Sequence, residues 1–268
     1  MRVAVGVEYD GSDFLGWEVQ QGSRTVQSDA QQALSRVADH PVRLICAGRT
    51  DAGVHAAAQV AHFDTQASRP TRGWVLGGNA NLPRDVSILW AVPVGDEFHA
   101  RFSATGRHYR YLILNRPTRP ALAAQRTCWE CRPLHVARMR EAAGHLVGEH
   151  DFSSFRAAAC QAKSPVRTIT RLDVSRHGDL VVIEISANAF LHHMVRNIAG
   201  VLIAVGTGKC GPSWTMEVLE ARDRTVGGVT APPQGLTLIG IDYPARFGIP
   251  NPDPNPDWAR LSEPAFLW

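Results

Sequence analysis

One stretch of this chain places a carboxylate between glycines: Ala47-Gly48-Arg49-Thr50-Asp51-Ala52-Gly53-Val54-His55-Ala56. Glycines let a backbone turn and approach a ligand closely, and the stretch follows a run that reads as a strand. An ionised carboxylate at its centre, Asp51, could act as a nucleophile or as a general base. A single loop aspartate is more often a turn former or a cap, so residue type alone leaves both readings open. With His55 and His62 the same aspartate could suggest a metal-dependent hydrolase, but the sequence offers no matching second ligand cluster. Cys128-Trp129-Glu130-Cys131 is a lone CxxC without the second pair that a zinc site needs. Gly206-Thr207-Gly208-Lys209-Cys210-Gly211 spells GxGxxG, yet it closes a helix where that fingerprint must open one. His192 and His193 are adjacent, lack the i, i+4 spacing of helical zinc ligands, and read as polar contacts at a helix start. No metal and no organic cofactor is expected.

The elements that must position these residues follow from periodicity. Alternation over Arg2 to Tyr9 puts Val3, Val5, Val7 and Tyr9 on one face of a strand. Val26, Ala30, Ala33, Leu34 and Val37 recur at helical spacing, with Pro41 just past the expected end. Strands are expected near Val42 to Ala47, Gln59 to Asp64 and Val86 to Val94, with a short helix from Thr71 to Gly78. The second half reads as strand Arg107 to Leu114, helix His135 to Leu146, and strands Ile169 to Arg176 and Leu180 to Ala187. A strong helix then runs from Phe190 to Val205, a shorter one from Ser213 to Arg222, and a last strand from Leu236 to Tyr243. Each half therefore reads strand, helix, strand, strand, helix, strand, the split pattern of a ferredoxin-like sheet. The fold class is α+β: two ferredoxin-like, RRM-like halves, 1–105 and 106–245, with mixed or antiparallel sheets side by side, helices on one face and a catalytic cleft between the halves. Residues 246–268 form a proline-rich tail, extended over the surface where Asn251 to Asp257 forbid helix and ladder alike.

The chain has 268 residues, 44% of them hydrophobic and 20% charged, which is the composition of a globular protein and excludes a disordered one. Its formal net charge of +3 permits a polyanionic partner without demanding one. Lys163 and Lys209 are the only lysines; every other basic side chain is arginine, whose planar fork suits phosphate. Codon bias in an alanine-rich chain would give the same count. Five cysteines, an odd number, fit a reducing compartment better than a disulfide framework. Met1-Arg2 leads straight into the first strand, no stretch approaches the length of a membrane span, and a cytoplasmic protein without membrane contact is expected.

Further blocks surround the Asp51 segment. They are Tyr9-Asp10-Gly11 with Gly16-Trp17, Asn79-Ala80-Asn81-Leu82-Pro83, Phe98-His99-Ala100-Arg101-Phe102-Ser103-Ala104, Arg107-His108-Tyr109-Arg110-Tyr111, Asp151-Phe152-Ser153-Ser154-Phe155-Arg156, and Phe190-Leu191-His192-His193-Met194-Val195-Arg196-Asn197. Together, in this order, they closely resemble the tRNA pseudouridine synthase A family. That resemblance implies isomerisation of uridines at positions 38 to 40 in the anticodon arm of tRNA by a homodimer. It implies that Asp51 is the catalytic aspartate, Tyr109 the tyrosine that stacks on the base, and Arg49 and Arg196 the active-site arginines. Arg196 would keep Asp51 charged, and Arg49 could fill the space a flipped base vacates or hold a phosphate. By residue pattern alone Tyr109 shares a strand face with Arg107, Tyr111 and Ile113 and reads as packing, and Arg196 as a surface arginine or a cap. The chain departs from the family at Glu18-Val19, where similar proteins carry a basic residue, and at Pro232-Pro233-Gln234, where they often carry a lysine. A non-catalytic RNA-binding protein of paired ferredoxin-like sheets is the alternative.

Overall fold

The computed structural model of the protein describes residues 1–158 and 160–250. The segment Asn251 to Asp257, expected as an extended tail, lies outside the described residues. In chain order the elements are β1 (Arg2–Tyr9), α1 (Val26–Ala38), β2 (Ile45–Cys46), β3 (His55–Asp64), α2 (Thr71–Asn81), β4 (Val86–Val94), β5 (Gly106–Asn115), β6 (Cys128–Glu130), α3 (Val136–Gly144), β7 (Gly148–Asp151), β8 (Val166–His177), β9 (Leu180–Ala187), α4 (Met194–Gly206), α5 (Trp214–Ala221) and β10 (Leu236–Asp242). The protein is thus a mixed α+β fold, and it divides into two compact units, one of residues 1–106 with the segment from 237, the other of residues 107–236. Among the described residues no helix is long and apolar enough to cross a membrane.

In the first unit β1 lies between β4 and β3, antiparallel to both, so that Val5 faces Ala61 on one side and Ala91 on the other. The sequence pattern buries one face of β1, but Ala4 is as buried as Val3 and Val5. Part of the reason is Trp90 of β4, whose indole lies across Gly6. α1 starts at a capping box in which the Thr25 hydroxyl accepts from Ser28 N–H and the Ser28 hydroxyl accepts from Thr25 N–H, two otherwise orphaned donors satisfied. α2 packs on β4 and runs to Asn81, further than its apolar spacing suggests. The Asn79 amide extends that contact, donating to Ile88 O at 2.9 Å and accepting from Ile88 N–H at 2.7 Å, as a neighbouring strand would.

β2 is much shorter than the expected Val42 to Ala47. The backbone there finds its partners on α1 instead: Leu44 N–H donates to Gln31 at 2.9 Å, Leu44 O accepts from Gln27 at 2.9 Å, and Val42 N–H donates to the Ser35 hydroxyl at 2.9 Å. Backbone groups satisfied by side chains have no need of a ladder. β2 therefore covers only Ala61 and His62 of β3, and β10 pairs parallel with His55 and Ala56 further along the same strand. β10 is expected from the sequence within the half 106–245. From Thr237 it packs with the first unit, where Thr105 N–H donates to Asp242 O at 2.8 Å and the Tyr243 hydroxyl donates to Ala100 O at 2.6 Å.

In the second unit the order β5-β9-β8-β7 is antiparallel throughout, with β6 added in parallel to β5. The short strands β6 and β7 carry too few residues for alternation to reveal them in the sequence. α4 supplies the core with Met194, Val195, Ile198, Val201, Leu202 and Val205, the stripe its spacing predicts. The helix begins at Met194, four residues later than the apolar pattern suggests, because His193 has a left-handed backbone with φ of 62°.

A buried histidine gives the first unit a pH dependence. His62 of β3 accepts from Ala100 N–H at 3.1 Å and packs edge-on against Phe98 and His99. Burial above all, then His99 and Arg2, lowers its pKa to about 4. The unfolded chain binds that proton more readily, so stability is full above about pH 6.5 and is lost as pH falls toward about 4. We expect the urea midpoint to drop across that window by up to about 3 kcal/mol in free energy, and His62→Gln to flatten the drop. Identical midpoint-against-pH curves for the two proteins would remove His62 as the cause.

Candidate active site

The loop between β2 and β3 carries Asp51, and the residues following β1 hold it. Trp17 N–H donates to Thr50 O at 3.1 Å, and Gly53 N–H donates to Phe14 O at 3.3 Å, so both flanks of Asp51 are bonded to one segment. Within the loop Val54 N–H closes a turn onto Asp51 O at 3.1 Å. The approach is close enough to require glycine. Gly16 has φ of +89°, and a Cβ there would sit 2.6 Å from Thr50 O. A Cβ on Gly11 would overlap the Val54 carbonyl. Below the loop, Thr50 Oγ1 and the Tyr9 hydroxyl share a buried hydrogen bond of 2.8 Å, and Gln59 of β3 donates to Gly48 O at 2.7 Å. Thr50 is thus turned inward, while Asp51 is half-buried. The result is a carboxylate carried at the tip of a braced turn, the kind of preorganisation that chemistry by a fixed anion needs.

Arg49 points the other way from Thr50 and is exposed. Its Nη2 donates to Glu18 Oε1 at 2.8 Å and its Nε lies 2.8 Å from Glu18 Oε2, a two-pronged ion pair. Nothing in the sequence pairs these residues, which are brought together by the same loop contacts that seat Asp51. Cys46 at the end of β2 stays a thiol: burial first, then the Glu18 charge, pushes its pKa up to about 12, against a smaller opposing effect of Arg49.

Two of the sequence candidates lie in the second unit. Tyr109 of β5 is opposite Ile185 of β9 and only 8% exposed, with the Phe190 ring edge-on at 5.2 Å. Its packing is therefore real, and Phe190 fixes the plane in which its ring stands. Arg196 lies in the first turn of α4, where its Nε donates to Ala231 O at 2.9 Å and its own carbonyl accepts from Ala231 N–H at 3.1 Å. This carbonyl contact orients the guanidinium. Two sequence blocks meet here, since Asn197 donates to Phe155 O at 2.7 Å and Ala157 N–H donates to His192 O at 2.9 Å.

His193 reads from the sequence as a polar contact at a helix start. It is the N-cap of α4, with a left-handed backbone and no capping bond from its side chain. An N-cap is normally extended, and the left-handed region costs a non-glycine residue about 1 kcal/mol or more. Asp39 and Arg222 share the conformation at helix C-caps, where it is ordinary. At His193 it precedes the first helical residue, Met194, and no local residue type signals it.

The remaining candidates have structural work. His55 is buried, and its Nδ1 lies 3.1 Å from both the Gly11 nitrogen, whose N–H it accepts, and Asp10 Oδ1. His62 is likewise spent on Ala100 N–H, so the hydrolase reading loses support. Cys128 lies buried in β6 and Cys131 exposed beyond it, and burial raises the Cys128 pKa. Gly206 ends α4, as its place in the sequence indicates.

Comparison with known proteins adds to this geometry. A family model described as tRNA pseudouridine synthase matches residues 6–103 and 142–244. Arg49, Asp51 and Arg196 fall inside those stretches, and Tyr109 falls between them. The chain is 62% identical over its whole length to the tRNA pseudouridine synthase A of Nitrosococcus oceani, with all of both chains covered. It is 61% identical to that of Methylococcus capsulatus, over 93% of this chain and 92% of the relative, and 56% identical to that of Pseudomonas aeruginosa, over 93% and 88%. Among solved structures, a Cbf5-Nop10-Gar1 complex matches 88% of this chain and 57% of that one at 12% identity, with a TM-score of 0.36 too low to inform the fold further.

The braced turn makes a direct prediction. Gly16→Ala forces a side chain into the Thr50 carbonyl at a positive φ, and it should destabilise the protein by about 2 kcal/mol, or roughly 4–8 °C in melting temperature. An unchanged melting curve would mean that the approach of these two segments is not tight.

Proposed function

The chain belongs to the tRNA pseudouridine synthase family and is an isomerase acting on tRNA, and from that premise we propose that it converts uridines 38 to 40 of the anticodon arm with Asp51 as its catalytic carboxylate. The observation that carries the assignment is the braced turn, which spends buried hydrogen bonds on holding one half-buried carboxylate in place. Family membership sets aside the reading as an RNA-binding protein without catalysis.

Pseudouridine formation breaks the bond between uracil N1 and ribose C1′, rotates the base, and rejoins C1′ to C5, with the C5 proton ending on N1. The isomerisation is redox-neutral, so the proposal includes no cofactor. Asp51 could attack the sugar or the base or remove a ribose proton, and each route starts from the ionised form. In this reading Arg196 favours that form by opposite charge, and the Nε bond to Ala231 keeps its guanidinium from wandering. Tyr109 offers a face to a uracil taken out of its stack, held in plane by Phe190. Arg49 contacts the RNA. Each half is read as ferredoxin-like, supported in the first by β4-β1-β3 with β2 beyond, and the protein as cytoplasmic.

Asp51→Asn keeps the shape and removes the charge. Isomerisation of an unmodified tRNA transcript, followed by chemical mapping of pseudouridine, should fall by more than about a thousandfold, while tRNA affinity stays within about threefold. Residual turnover within about tenfold of the parent, equivalent to about 1.4 kcal/mol, would rule out Asp51 as the essential group.

A homodimer completes the proposal, supported by the family resemblance and by size. A compact chain of this length has a radius of gyration of about 18 Å, small beside a whole tRNA, and a two-fold pair would extend the arginine-bearing surface. Sedimentation should give twice the 29.3 kDa chain mass. A monomer at assay concentration with full turnover on intact tRNA would overturn the dimer and leave Asp51 untouched.

A further inference from the structure

The Glu18–Arg49 pair is placed where its partners are needed for something else. Arg49 lies two residues before Asp51 on the braced turn, and its Nε and Nη2 both engage the Glu18 carboxylate, each at 2.8 Å. A guanidinium edge that fits two carboxylate oxygens fits two phosphate oxygens equally well. We infer that Glu18 is an internal competitor for the RNA phosphate that Arg49 binds, a carboxylate that occupies the fork until the substrate backbone displaces it. The inference rests on the proposed role of Arg49 as an RNA contact and names how that contact is regulated.

Magnitudes decide what such a competitor can do. The side chains are 59% and 43% exposed, so water and salt screen the pair, and exposed pairs of this kind contribute little. Glu18 therefore cannot shut the site. It can weaken phosphate binding by a small factor and hold Arg49 over the turn, which penalises stray single phosphates more than a tRNA with many contacts. The pair also changes how binding responds to salt. Each phosphate neutralised by a cation releases condensed counterions, but a displaced Glu18 left beside the RNA offsets part of that release. Without the carboxylate the site carries one more net positive charge, and the salt dependence steepens.

Four proteins test this: the parent, Glu18→Gln, Arg49→Gln and the double variant, each titrated with an unmodified tRNA transcript over a salt series. Glu18→Gln should tighten binding by about threefold to fivefold at low salt, the range set by an exposed pair, and steepen the log–log salt slope by about 0.5 to 1. In the Arg49→Gln background the same change should gain less than about 1.5-fold, since the fork it frees is gone. Equal gains in both backgrounds would mean general charge repulsion and overturn the competitor, as would no gain in either. If Arg49→Gln itself leaves affinity and turnover unchanged, the role of Arg49 fails and the competitor with it. If Arg49→Gln weakens binding and Glu18→Gln changes nothing, only the competitor fails. Both side chains are at the surface, and matching melting curves for all four proteins confirm that folding is not the variable read.

Discussion

The loop that carries Asp51 has no strand ladder from Gly48 to Val54, and a free loop would let a carboxylate wander over many positions. Here the segment after β1 binds it on both flanks, at Thr50 and at Gly53, and approaches so closely that Gly11 and Gly16 leave no room for a side chain. Most of the first unit serves that approach. β1 lies beside β3, which lets Tyr9 reach Thr50, while Gln59 of β3 reaches Gly48, and α1 begins at Val26 within reach of Gly16 and Trp17. Val26 N–H donates to Gly16 O at 3.2 Å and Gln27 N–H to Trp17 O at 3.0 Å, so the start of α1 fixes the far side of the same segment.

The brace is polar and buried, which gives it specificity. A hydroxyl pair such as Tyr9 and Thr50, taken out of water, is costly when broken and modest when made, so the loop has one favoured seat. In the second unit the corresponding role falls to backbone carbonyls. Arg196 is oriented by Ala231 O, and Asn197 ties α4 to Phe155 O. The two units thus use different means to hold charged side chains: one pins the backbone on either side of the charge, the other pins the side chain itself.

Several of the blocks that carry the family resemblance turn out to be scaffold. Tyr9-Asp10-Gly11 and Gly16-Trp17 brace the turn, and Asn79 stands in for a strand partner at Ile88. His99 N–H donates to the Ser103 hydroxyl at 3.0 Å, so Phe98 to Ala104 is held by its own side chains. Their chemistry explains why such residue types recur around one aspartate: positioning a group takes more side chains than using it.

The sequence by itself determined the long elements and the segment that matters. Val3 to Tyr9 of β1, the apolar stripe of α4 and the glycine-bounded Asp51 loop were legible because periodicity and turn chemistry are local properties of the chain. The family resemblance supplied the roles that spacing could not. What tertiary structure decided was whatever depends on partners distant in sequence. Glutamines of α1 replaced most of the expected second strand, and β10 pairs in parallel with His55 and Ala56 of β3, residues more than 180 positions away in the chain. The left-handed backbone at His193 and the clasp of Glu18 on Arg49 have no local signature at all. Hydrogen-bond satisfaction and charge pairing are settled by whichever groups the folded chain brings within reach, and that is the part a linear pattern does not contain.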